Sequence, residues 1–200
     1  RHEVEEHAVH SARGLAQAVH AGVLPKLPRL HAVQTRAGYP LVRAYEALAT
    51  ALGGELPGVG ETDLGAAAIA ARDERARRLA LQWPSAHSQA VFGAFLRERG
   101  RAMRAWPAPG HSMAHGILDD ETYDWAQALR GVLASGGYPV VVGEAHLAQA
   151  NWLAHSATGI DADATGSAGL AGLLALRLGG ADAAVGPGEG VAVLLTGGRR

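Results

Sequence analysis

The sequence predicts an α/β fold, a parallel sheet flanked by helices, on three observations. Short β-branched runs alternate along the chain with stretches of helical periodicity, the pattern of layered α/β architectures. The run Val191-Ala192-Val193-Leu194-Leu195 is apolar on both faces, as a central parallel strand is. Of the 200 residues 48% are apolar, enough to bury both faces of such a sheet.

The elements follow in chain order. Val4, Ala8, Ala12, Leu15 and Val19 recur at helical spacing, with Gly22 as the stop signal. After a loop holding Pro25 and Pro28, residues 28–35 read as a short buried strand. Residues 41–52 are helical, and Gly53, Gly54, Pro57, Gly58 and Gly60 make a loop. Residues 64–82 and 87–105 read as two helices separated by Trp83-Pro84. The arginines of the first, Arg72, Arg75, Arg77 and Arg78, interleave with Asp73 and Glu74 and read as a solvated helix face. A loop from Trp106 to Gly110 closes this middle section. Residues 120–134 are helical up to Gly136-Gly137, residues 138–143 form a strand, and residues 144–157 and 167–178 are helices. Gly179-Gly180 and Gly186-Pro187-Gly188 punctuate a loop before the strand at 190–196. The three strands are expected to lie parallel in one sheet, with the 167–178 helix packed on it through Leu170, Leu173 and Leu174.

Composition narrows the function. The net charge is −1, so no field is built for phosphate backbones or anionic lipid, and neither nucleic acid nor membrane is an expected partner. The longest apolar runs fall far short of the roughly 18 residues that a membrane span needs. Cysteine is absent, which excludes disulfides and thiolate metal sites and fits a cytoplasmic enzyme. Ten histidines raise the question of a metal. His2, His7 and His10, and separately His111 and His115, have helix-compatible spacings, but Glu6 stands where H-E-x-x-H would need its second histidine. No metal is expected. Gly166-Ser167-Ala168-Gly169 lacks the G-x-S-x-G spacing of a serine nucleophile, and Thr165 and Ser167 also suit the cap of the helix that follows.

Three segments carry more information. The first is Pro28-Arg29-Leu30-His31-Ala32-Val33-Gln34-Thr35, followed by Tyr39-Pro40-Leu41. The second is Ser112-Met113-Ala114-His115-Gly116-Ile117. The third runs Asp161-Ala162-Asp163-Ala164-Thr165-Gly166-Ser167-Ala168-Gly169-Leu170, and about 25 residues on comes Val193-Leu194-Leu195-Thr196-Gly197-Gly198. In this order they resemble the large domain of pyridoxal-phosphate (PLP) enzymes of fold type II, the threonine synthase and tryptophan synthase β family. The resemblance covers roughly residues 10–50 and 110–200. Residues 53–109 match nothing in it and read as a helical insertion.

The resemblance implies a PLP-dependent lyase or synthase acting on a small amino acid by β-elimination or by β- or γ-replacement, as threonine synthases and dehydratases do, and homo-oligomeric at full length. It implies cofactor contacts at Gly116, Asp163, Thr165, Gly166, Thr196 and Gly197. Glycine at 116 lets backbone approach the ring. The Thr196 hydroxyl would face the pyridine nitrogen and leave it largely unprotonated, a moderate electron sink. His115 adjoins that face.

Two parts of the family pattern are missing. The chemistry needs a Schiff-base lysine, and the single lysine, Lys26, stands in a turn-like loop unsuited to that role. Where a Gly-rich phosphate loop belongs, the chain reads Val4-Glu5-Glu6-His7, whose carboxylates would repel phosphate. The expectation is a partial large domain over 1–200, with the lysine and the phosphate loop in an N-terminal half that this chain lacks. The alternative is a non-catalytic remnant or interaction module of the same fold. If the other half is missing, residues 112–117, 163–167 and 196–197 should converge at the C-terminal strand ends on an open, apolar face.

Overall fold

The computed structural model describes residues 2–53, 62, 64–106, 110–178 and 190–198. The loops read over 54–61, 107–109 and 179–189 lie outside these residues, as do the side chains of His2, His7 and His10. The order is α1 (His2–His20), β1 (Val33–Thr35), α2 (Pro40–Ala51), α3 (Ala66–Gln82), α4 (Ala86–Arg97), α5 (Arg99–Ala102), a 3-10 turn (His115–Ile117), α6 (Trp125–Ser135), β2 (Val140–Val142), α7 (Glu144–Thr158) and α8 (Ala168–Leu178). The result is a helix-rich mixed fold around a small parallel sheet. Among the described residues no helix is long and apolar enough to cross a membrane.

β1 and β2 pair in parallel, Val33 with Val140, Gln34 with Val141 and Thr35 with Val142. Valine suits this place because its branched side chain fills a pleated surface covered on both sides, and all three β2 residues are buried. Gln34 is buried between the layers, where its Oε1 accepts the N–H of Val42 in the first turn of α2. Pro40 opens that helix, where a missing N–H costs nothing.

The third expected strand does not form. Residues 190–197 run without ladder pairing, and Gly198 makes one antiparallel bridge to Ala162. Val191 and Leu194 are exposed. A run apolar on both faces becomes a central strand only with a strand on each side; this one lies instead along the start of α8, with Val193 against Gly169.

α8 packs on the sheet, but through small residues. Its buried face is Ala168, Ala171, Gly172, Ala175 and Leu176, while Leu170, Leu173 and Leu174 are only half-buried. A Cβ at Gly172 would stand 2.4 Å from Val33 Cγ2, so the absent side chain is what lets helix and strand approach.

The stretch read as one helix over 87–105 breaks at Glu98, whose backbone (φ −102°, ψ 51°) is not helical. The helix expected from 120 begins at Trp125. The middle section is part of the core: Ile69, Leu79, Phe92, Phe95 and Met103 share one apolar cluster with Tyr45, Leu48, Leu129 and Val140.

The arginine-rich face of α3 is a correction. Arg72, Asp73 and Arg75 are buried, and Glu74, Arg77 and Arg78 extend into solvent. Asp73 holds Arg29 at 2.5 Å and Arg77 at 3.6 Å, and Arg75 holds Glu46 at 2.6 Å with its guanidinium near the Tyr45 ring. Arg29 also donates to the carbonyl of Gly136, which ties the approach to β1 to the end of α6. Interleaved charges suggest solvent in sequence, yet partners on α2 and on the 21–32 loop let them be buried as pairs.

Next to this network His31 donates Nδ1–H to the carbonyl of Tyr138, and the two rings meet edge to face at 4.7 Å. Burial, and then the Arg29 guanidinium, lower the His31 pKa to about 4, although the Tyr138 carbonyl pulls the other way. The unfolded chain therefore takes up this proton more readily than the folded one. The contribution to stability is complete above the usual value near 6.5 and is lost as pH falls toward 4. His31→Asn keeps the donor without the titration. Between pH 7 and pH 4 the wild type should lose about 2–3 kcal/mol more than this variant in urea unfolding. Parallel pH profiles for the two proteins would refute the assignment.

Candidate functional site

The C-terminal ends of β1 and β2 face the segment 110–118. Just past β2, the carboxylate of Glu144 accepts the N–H of Met113 at 2.9 Å. Just past β1, Ala37 lies against Gly110 and Gly38 against Leu118. Ser112 is buried and takes the N–H of Ala114, which turns the chain into the 3-10 turn that carries Gly116.

From there the path crosses to the turn before α8. Gly116 donates its N–H to Thr165 Oγ1 at 3.0 Å. A Cβ at Gly116 would meet the Thr165 methyl at 2.7 Å, so glycine is required for this approach. Asp163 Oδ1 accepts the N–H of Gly166, three residues on, at 2.6 Å, a local side-chain-to-backbone bond that shapes the entry to the helix. Ser167, fully buried, donates to the carbonyl of Asp163.

The terminal segment closes the cluster. Thr196 N–H donates to the carbonyl of Gly166 at 3.3 Å, and the carbonyl of Gly197 accepts the N–H of Asp163 at 3.2 Å. A Cβ on Gly166 would fall 2.4 Å from both the nitrogen and the oxygen of Gly197, and one on Gly197 would fall 2.6 Å from Asp163 Oδ1. All six residues singled out from the sequence, Gly116, Asp163, Thr165, Gly166, Thr196 and Gly197, thus lie in one connected group. Thr165 and Gly166 are buried, and Thr196 is exposed at its edge. Met113, Ile160, Val191 and Leu194, which lie in or beside these segments in the chain, are all exposed.

His115 shares the 3-10 turn with Gly116. His111 and His115 are exposed. Among the described residues no three His, Asp or Glu side chains come together as metal ligands would. Lys26 is exposed in the loop that leads to Leu30, which touches Gly137 just before β2. It precedes β1 in the chain by seven residues.

Sequence reading missed Asn151. From the middle of α7 its Nδ2 donates to the carbonyl of Ala162 at 2.7 Å and to Ser167 Oγ at 3.2 Å, fixing the turn from behind. An asparagine inside an alanine-rich helix is the signal that could have found it, because that residue favours caps and turns unless its amide has a partner.

No family model, curated protein or solved structure matches the chain.

Proposed function

We propose that this chain supplies the ring-binding wall of a PLP-dependent lyase or synthase of fold type II, acting on a small amino acid. The observation that carries the reading is the meeting of residues 112–117, 163–167 and 196–198 beside the C-terminal ends of a parallel sheet. That is where α/β sheets bind ligands.

The residues fit one part of the cofactor and not another. Thr196 is exposed, so its hydroxyl can donate to a ring nitrogen, whereas the open side of Gly116 is filled by Thr165. The first amides of α8 are already used within the turn, Ser167 N–H on the carbonyl of Asp163 and Ala168 N–H on that of Thr165. With the Asp163 carboxylate beside Gly166 as well, this turn is not the phosphate cradle. Lys26 is exposed in the loop before β1, and on this reading it is not the nucleophilic amine. When bound, the cofactor supplies an electron sink for chemistry at the amino-acid α-carbon. The part of this chain is to orient the ring and keep its nitrogen unprotonated.

A second reading, a non-catalytic module, has its own support: the close contacts among Gly116, Thr165, Gly166 and Gly197 satisfy one another without a ligand. Amide chemical shifts followed during titration with pyridoxal 5′-phosphate separate the two. Pyridoxine 5′-phosphate, which has no aldehyde, serves as the control against imine formation. On the enzymatic reading the signals of Gly116, Gly166 and Gly197 move together and saturate with both compounds. Thr196→Ala weakens the response about tenfold, the worth of one good hydrogen bond, and Lys26→Ala leaves it intact. Shifts confined to the surroundings of Lys26, and lost in Lys26→Ala, would leave only the non-catalytic module.

A further inference from the structure

The run from Val191 to Leu195 has the chemistry of a strand and no sheet to join. From Val193 on, its exposure alternates residue by residue: Val193 and Leu195 are half-buried, Leu194 and Thr196 exposed. Side chains alternate in this way on a strand that lays one face on the molecule. Val193 meets Gly169 there. The far end is fixed, since Thr196 N–H and the Gly197 carbonyl are bonded into the turn before α8. Ahead of that point the backbone is unmatched. Among the described residues the N–H and C=O groups of Val191, Ala192, Val193, Leu194 and Leu195 make no hydrogen bond.

Backbone in that state is met by water or by another strand. The side chains here are all apolar, with Val191 47% and Leu194 57% exposed, so a covering strand also removes apolar surface from water. Exposed edges are commonly blunted by lysine or proline, and neither occurs between Gly190 and Gly198. One edge of the run is taken: the Leu194 carbonyl lies 3.6 Å from where a Gly169 Cβ would stand, at the start of α8. Neighbouring residues of a strand direct their N–H and C=O groups to opposite edges, so Val191, Val193 and Leu195 address the other one.

The matching occupant is an uncharged strand, apolar on both faces. β2 has that chemistry but is buried and already paired with β1, so the run that another molecule can offer is this same one. We infer that two copies of this chain associate through residues 191–195 as an antiparallel pair. Aligned about Val193, the pair sets Val193 opposite Val193 and Val191 opposite Leu195, each couple closing two backbone hydrogen bonds. Leu194 then lies across from Ala192 of the other copy. No charged side chain falls in the contact, and a net charge of −1 leaves little repulsion between whole molecules near neutral pH. With its other edge against α8, the run closes a pair instead of extending a fibre. A contact this short makes a weak, concentration-dependent dimer.

Sedimentation equilibrium of the whole chain from about 1 μM to about 1 mM tests this, with amide hydrogen exchange at both ends of the range. A monomer–dimer equilibrium is expected. At the high concentration the amides of Val191, Val193 and Leu195 should exchange more slowly, and those of Ala192 and Leu194 much less so. Leu194→Lys, at an exposed position, should weaken association about tenfold or more by placing a charge in the contact. Val191→Pro removes a donor of the ladder and should weaken it as well. Leu81→Lys, on an exposed leucine of α3, should leave it unchanged. A monomer throughout the range, or a dimer indifferent to Leu194→Lys, overturns the proposal. So does a dimer whose amides at 191–195 exchange as they do in the monomer. No ligand is added, so this conclusion and the one for the Gly116 cluster can fail separately.

Discussion

Replacing Asp73 with alanine should cost about 3–5 kcal/mol, the range for removing one partner of a buried ion pair. The carboxylate is almost fully buried and holds Arg29 at 2.5 Å, with Arg77 a second, longer contact. Without it Arg29 would stand beside the buried Arg72 and Arg75 with one carboxylate fewer to balance them. Charge left in a poorly solvated place is the expensive outcome; the lost attraction itself is the smaller part. Since domains of this kind are stable by only about 5–15 kcal/mol, the variant should unfold at markedly lower urea, or fail to fold. Asp73→Ala combined with Arg29→Met should recover part of the loss, because the second change removes the stranded cation. A single-variant cost under about 1 kcal/mol, the worth of a surface pair, would mean that the network is solvated in solution.

Gly166→Ala should be the most damaging change within the cluster, by about 2–3 kcal/mol, at the upper end for overpacking. The new methyl would sit 2.4 Å from two backbone atoms of Gly197, and backbone cannot rotate out of the way as a side chain can. Relief requires the 196–198 segment to separate from the turn, which breaks the contacts of Asp163 N–H and Thr196 N–H. Hydrogen exchange at those two amides should accelerate before the rest of the molecule is affected. Gly169→Ala, three residues on, is the internal comparison. Its Cβ would meet Val193 at 3.4 Å, an ordinary contact, and alanine is the better helix former. That variant should be neutral or slightly more stable. If both substitutions behave alike, the terminal segment does not pack on the turn.

The periodicities of the sequence located seven helical segments and the two strands that pair, because spacing of apolar residues reports which side of an element is covered. The resemblance carried by three motif segments, rather than periodicity, singled out Gly116, Asp163, Thr165, Gly166, Thr196 and Gly197 as a set. Tertiary structure alone decided the rest. Val191 to Leu195 carries the pattern of a central strand, yet it pairs with none, since a strand is made by its neighbours and not by its own composition. Arg72, Asp73 and Arg75 carry the pattern of a solvated face, yet they are buried, since Glu46 and Arg29 arrive from distant parts of the chain to match them. α8 turns Leu170, Leu173 and Leu174 only partly inward and buries alanines, Gly172 and Leu176, because the close approach to Val33 selects for a missing side chain at Gly172. In each case the local pattern states what a residue can do, and the partner brought by the fold settles which of those things it does.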